Sequence, residues 1–118
     1  MMLAGLRVMV VEDEALLAMW VEDILGEMGC EVVATASRLE DAMDKAQALA
    51  MDVALLDVNL AGQLSYPVAE ILRARSIPFV FATGYGAAGL PNGLQDVPML
   101  PKPFQPDQLA DALRRAQV

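Results

Sequence analysis

Four separate apolar runs each end in a polar group: Val8 to Val11 in Glu12-Asp13, Val53 to Leu56 in Asp57, Phe79 to Ala82 in Thr83, and Val97 to Leu100 in Lys102. Short runs rich in β-branched residues, separated by helical periodicity, read as strands of a parallel sheet buried on both faces. Parallel strands finish at one edge of their sheet, so the polar groups that end them are predicted to converge. Hydrophobic residues make up 56% of the 118, above the roughly 45–50% of ordinary globular chains, which favours a doubly covered sheet over a half-wet one.

The units follow in order. Leu6 to Val11 reads as a strand, and Glu14 to Met28 as a helix closed by Gly29. Glu31 to Thr35 is a second strand, followed by a helix over Arg38 to Ala50 in which Ser37 and Glu40 fit a capping box. Asp52 to Leu56, a helix over Ser65 to Arg75, and a strand over Ile77 to Ala82 come next. Val97 to Leu100 is a fifth, short strand, and Pro106 opens a last helix over Asp107 to Gln117. Five strands alternating with helices predict an α/β doubly wound sheet of order 2-1-3-4-5, in one domain over residues 1–118 with no output domain. The fourth helix is the weak element, because the stretch from Gly84 to Gly93 carries four glycines and a proline, and it is expected to be short or mobile.

Composition narrows the chemistry. A formal charge of −8 disfavours nucleic acid and anionic membranes as direct partners. The apolar stretch at the start is broken by Arg7 and reads as the approach to a strand, and no run reaches the roughly 18 residues of a membrane span. One cysteine and no histidine leave no disulfide, no zinc-type ligand set and no imidazole catalysis. A cytoplasmic protein is expected.

The switch point of a 2-1-3-4-5 sheet lies between strands 1 and 3, where Glu12, Asp13 and Asp57 fall. Each has a plain alternative: an acidic helix start for Glu12-Asp13-Glu14, a turn residue for Asp57, a solvated Lys102, a strand end for Thr83. Their shared edge favours a site. Carboxylates so placed repel unless a cation neutralises them, and an all-oxygen set suits Mg²⁺. Asp57, the isolated acid, is the candidate nucleophile toward phosphorus. Gly84-x-Gly86-x-x-Gly89 matches a dinucleotide fingerprint, but no sustained helix follows it. The methionines and Trp20 read as core or helix surface.

Val10-Val11-Glu12-Asp13-Glu14, Asp57-Val58-Asn59-Leu60-Ala61-Gly62, Ala82-Thr83-Gly84 and Lys102-Pro103-Phe104 together resemble the receiver domain of two-component response regulators, the CheY-like family, over essentially the whole chain. The resemblance implies that a histidine kinase phosphorylates Asp57, and that Asp13, Asp57 and the Asn59 carbonyl hold Mg²⁺, with Glu12 reaching it through water. It implies that Thr83, Lys102 and the amides of Asn59 and Gly84 bind phosphoryl oxygens, and that a cis bond precedes Pro103. Phe81-Ala82-Thr83-Gly84-Tyr85, with Ser65-Tyr66-Pro67-Val68-Ala69, resembles the stand-alone receivers carrying a Phe-Ala-Thr-Gly-Tyr (FATGUY) motif, whose members partner kinases of the HWE or HisKA2 type. The family's aromatic switch is replaced here by Met99. Tyr85 is the candidate substitute, or a shield for the acyl phosphate, and ordering of the soft fourth helix is the other route. The expected function is a phosphorelay regulator that signals by protein contact or acts as a phosphate sink, as a monomer or weak dimer, catalysing only its own phosphorylation and dephosphorylation. The family's usual signalling face comprises the fourth helix, fifth strand and fifth helix. The alternatives are a phosphatase or phosphotransferase with an aspartate nucleophile, and a pseudo-receiver that binds partners unphosphorylated.

Overall fold

A computed structural model describes residues 3–84, 93–94 and 96–117. The weak fourth helix and Tyr85 lie outside the described residues, so the expectations placed on them are not addressed by the structure. The elements are β1 (Arg7–Val11), α1 (Ala15–Glu27), β2 (Glu31–Ala36), α2 (Leu39–Ala48), β3 (Val53–Asp57), β4 (Asn59–Leu60), β5 (Gln63–Leu64), α3 (Tyr66–Ala74), β6 (Phe79–Thr83), β7 (Met99–Pro101) and α4 (Pro106–Ala116).

Five parallel strands form one sheet in the order β2-β1-β3-β6-β7. This is the doubly wound 2-1-3-4-5 order; β4 and β5 pair with each other as a small antiparallel hairpin that the apolar pattern did not show. Alternation along each strand sends side chains to two cores. Val8, Val10, Leu55 and Val80 pack toward α1 and α4, whereas Met9, Val11, Leu56, Phe79 and Phe81 pack toward α2 and α3. Burial on both faces explains why these strands read as unbroken apolar runs.

Gly29 stands just past the end of α1 with φ +85°, and a Cβ there would meet the Ala4 Cα at 3.3 Å. Glycine is required by both conformation and space. The Ser37–Glu40 capping box does not form: Arg38 occupies the N-cap of α2, with no side-chain cap hydrogen bond. The helix starts one residue later than the box requires, so the Ser37 hydroxyl is out of place for it. The α4 start does carry such a contact, the Gln105 N–H donating to Gln108 Oε1 at 2.7 Å behind Pro106. Two strand ends also differ from expectation, since Asp57 and Thr83 are the last residues of β3 and β6 and not the first beyond them.

Met99 is half-buried beside Phe81, its register partner on β6. Phe81 in turn meets Phe79 and Tyr66 edge-on, with ring centroids 5.5 and 6.1 Å away. Ser65 precedes α3 with its hydroxyl buried and without a partner among the described residues. Replacing it with alanine is expected to raise stability by about 1 kcal/mol, since an unsatisfied buried hydroxyl carries a desolvation cost. Phe81→Ala should lower stability by about 3–5 kcal/mol through lost contacts and a cavity between the helices. Urea unfolding of both variants checks the pair; a destabilised Ser65→Ala would contradict the account of that hydroxyl.

Candidate functional site

The carboxyl edge of the sheet gathers the predicted groups. Val11 pairs with Leu56, and Asp57 with Ala82, so Glu12 and Asp57 emerge side by side from the two central strands. On β6, Thr83 pairs with Pro101, and its carbonyl accepts the Lys102 N–H at 2.9 Å. This register brings Lys102 to the acids across the sheet. Its Nζ lies 2.7 Å from Glu12 Oε1 and 3.2 Å from Asp57 Oδ2.

Glu12, Asp57 and Thr83 are buried and Asp13 half-buried. Ligand oxygens of Glu12, Asp13 and Asp57 all lie within 4.8 Å of one another. A compact set of hard oxygen donors fits Mg²⁺, a cation that keeps waters in its shell. Backbone amides hold the acids in place. The Glu14 N–H donates to Glu12 Oε2 at 3.0 Å, the Asn59 N–H to Asp57 Oδ1 at 3.4 Å, and the Ala61 N–H to Asp13 Oδ2 at 3.0 Å. A cavity of about 360 Å³ opens over them, bounded by Asp13, Asp57, Asn59, Thr83, Gly84 and Lys102 among others. The Lys102-Pro103 peptide is cis.

The Ala61 contact had no counterpart in the sequence reading. Ala61 has φ +51° and Gly62 φ +91°, and the Gly62 N–H donates to Asn59 Oδ1 at 2.7 Å. The Asn59 amide therefore closes the β4–β5 turn, and the turn aims the Ala61 N–H at Asp13. Positive φ at a non-glycine residue costs energy and occurs where other contacts demand it. The only trace in the sequence is the Asn-x-x-Gly turn signal at Asn59.

Burial pushes the Asp57 carboxyl up to about 7, with the Glu12 charge adding to the shift and Lys102 opposing it. Asp13 moves the other way: burial would raise it, but hydrogen bonding with Glu12, Asp57 and the Ala61 amide holds it below the usual carboxylate range. For Lys102, burial works against the charge, and the Glu12 and Asp57 contacts more than compensate, so it stays an ammonium. Asp57 is thus shifted up, chiefly by burial, and Asp13 down, so the two acids do not move together.

A family model described as the response regulator receiver domain matches residues 8–114. The chain belongs to this family. It is a receiver domain of two-component signalling, and known proteins resemble it at several levels. The solution structure of SdrG from Sphingomonas melonis Fr1 is 41% identical, with each chain fully covered and a TM-score of 0.85. The BeF3-activated conformation of SdrG is also 41% identical, with a TM-score of 0.81 over 98% of both chains. The chemotaxis protein CheY of Thermotoga maritima is 28% identical over 94% of this chain and 97% of its own. The transcriptional regulatory protein PdtaR of Mycobacterium tuberculosis is 31% identical over 93% of this receiver, which spans 56% of PdtaR. A 55-residue stretch, 47% of this receiver, is 49% identical to the protein-glutamate methylesterase/protein-glutamine glutaminase of Archaeoglobus fulgidus and spans 16% of that protein.

The raised Asp57 makes the metal-free receiver pH-sensitive. A carboxyl whose folded pKa lies above its unfolded 3.8 contributes most to stability at low pH, and that contribution is lost as pH rises through the folded value. Asp13, shifted down, acts below this window, and Lys102, shifted up, acts above it. Urea unfolding in EDTA should therefore show stability falling by about 2 kcal/mol between pH ~5.5 and pH ~8 on account of Asp57. The dependence should flatten in Asp57→Asn; an unchanged slope would assign it elsewhere.

Proposed function

We propose that this receiver takes a phosphoryl group onto Asp57 from the phosphohistidine of a histidine kinase, with Mg²⁺ as cofactor. The observation that carries the reading is the buried Asp57 carboxylate, 3.2 Å from the Lys102 ammonium and clustered with Glu12 and Asp13. An Asp57 Oδ attacks phosphorus, a P–O bond forms, and the P–N bond breaks with its electron pair leaving on the imidazole. Asp13, Asp57 and the Asn59 carbonyl would hold the cation, with Glu12 reaching it through water. When bound, Mg²⁺ supplies positive charge to the transferring group.

The remaining groups have assigned roles in the same reading. Lys102 leaves Glu12 to meet a phosphoryl oxygen, and Thr83 with the Asn59 and Gly84 amides binds the others. Tyr85 shields the acyl phosphate or replaces the aromatic switch missing at Met99. The chain's chemistry is confined to its own phosphorylation and dephosphorylation, in the cytoplasm. Its output is contact with another protein or service as a phosphate sink. The Phe81-Ala82-Thr83-Gly84-Tyr85 sequence supports placing it with the FATGUY receivers and kinases of the HWE or HisKA2 type. Among the described residues, no helix is long and apolar enough to cross a membrane.

Phosphotransfer profiling against autophosphorylated histidine kinases is the test. Label should move to the wild-type chain in Mg²⁺, fail in EDTA, and be absent from Asp57→Asn, with beryllofluoride binding only where Asp57 is intact. Label persisting on Asp57→Asn would refute the assignment. Turnover of small phosphate esters would instead favour a phosphatase.

A further inference from the structure

The β4–β5 hairpin is shaped around a contact that its own pairing does not require. Its strands pair Asn59 with Leu64 and Leu60 with Gln63, leaving Ala61-Gly62 as a two-residue loop. Both loop residues have positive φ, +51° and +91°. A hairpin loop of this length commonly takes that combination, with asparagine, aspartate or glycine at its first position. Alanine stands there instead. The loop is closed from outside by Asn59, whose Oδ1 accepts the Gly62 N–H at 2.7 Å, and is anchored by Leu60, buried in the core beneath α2 and α3. A Cβ on Gly62 would meet nothing within 4 Å, so conformation and not space demands glycine there.

From this loop the Ala61 N–H reaches Asp13 Oδ2, 48 residues away in sequence, at 3.0 Å. Asp13 has reason to depend on it. Glu12 and Asp57 both lie against Lys102, whereas no salt bridge among the described residues reaches Asp13. The start of α1 does not hold it either, since Glu14 is the N-cap and no side-chain cap hydrogen bond forms. Its neighbours Glu12 and Asp57 are acids, which only accept when ionised. A donated backbone amide is then the contact that can fix an ionised Asp13, and it leaves the second carboxylate oxygen available.

We propose that the β4–β5 turn is a positioning element for the cation site: Asn59 Oδ1, through Gly62 and the Ala61 N–H, holds the Asp13 carboxylate so that its free oxygen faces the cation. Supports of this kind behind a metal ligand set its orientation and with it the affinity of the site. The positive φ at Ala61 follows from the role, because a strained residue persists where the surrounding contacts require its direction. Asn59 would then serve twice, by its carbonyl at the cation and by its side chain behind Asp13. Gly62 does not line the cavity over Asp57, so a substitution there acts on the cation through the turn. The inference rests on reading Glu12, Asp13 and Asp57 as the Mg²⁺ site, and it adds the residues that hold one of those ligands in place.

Mg²⁺ alone is the probe, titrated at a pH above the Asp57 titration and followed by amide NMR shifts. Hydrogen exchange of the Ala61 amide reports the turn, and urea unfolding reports stability. Gly62→Ala and Asn59→Ala should each weaken Mg²⁺ binding about tenfold, the low end for the support of a metal ligand, and should speed exchange at Ala61. Asn59→Ser keeps an oxygen that can accept the Gly62 N–H and should recover most of the affinity. In an Asp13→Asn background, Gly62→Ala and Asn59→Ala should no longer change the Kd, because residues acting through one group are not additive. The proposal is overturned if both single variants bind Mg²⁺ as the wild type does. It is also overturned if their losses persist undiminished in Asp13→Asn, which would place the effect at the Asn59 carbonyl, or if the losses simply track urea stability. A wild-type chain that takes up no Mg²⁺ would instead bring down the cation-site reading itself.

Discussion

The contact of the Lys102 ammonium with Glu12 and Asp57 is the interaction on which the rest of the site depends. Three charged groups are held together at a largely buried edge, a costly arrangement unless each charge is answered. Glu12 answers Lys102 at 2.7 Å, and Lys102 in turn is the one cation that the described structure places against Asp57. Parallel pairing is the device that makes the contact possible. Lys102 is 90 residues from Glu12, yet the register of β6 with β7 and of β3 with β6 brings both to the same edge.

That edge is built to change state. Burial leaves Asp57 high and the hydrogen bonds around Asp13 leave it low, so the acids have different readiness for charge before any ligand arrives. A divalent cation would remove the penalty by neutralising the cluster, and a phosphoryl group would give Lys102 a stronger partner than Glu12. The scaffold beneath is the opposite in character. Two apolar layers pack against a sheet whose central strands are buried from end to end, and this packing sets where the strand ends lie.

Much of this was legible before the fold was seen, and the reason is periodicity. Runs such as Val53 to Leu56 have one reading as doubly buried strands, and the acids and lysine that end them stand out against an apolar background. Gly29 and Pro106 marked a helix end and a helix start because each is tied to one backbone conformation. Ser37 and Glu40 misled for the converse reason. A capping box is a local pattern that needs a helix beginning at one residue, and packing of Leu39, Ala42 and Ala46 against the sheet began it elsewhere. The β4–β5 hairpin is too short to show a period at all.

The sequence by itself determined the fold class and the membership of the acidic edge, since apolar period and strand-end chemistry are properties of adjacent residues; the strand order was the usual one for a doubly wound five-stranded sheet, and the observed pairing agrees with it. Only the tertiary structure decided which partners those residues take. It turned the Ala61 amide toward Asp13, paired Lys102 with Glu12 as well as Asp57, split the acids into one raised and one lowered, and left Leu16, Met19 and Trp20 uncovered beside Phe104. These outcomes depend on distances between segments far apart in the chain. Hydrogen bonds weaken steeply with small errors in distance and angle, whereas the pattern of burial that specifies a strand survives any small shift in its neighbours.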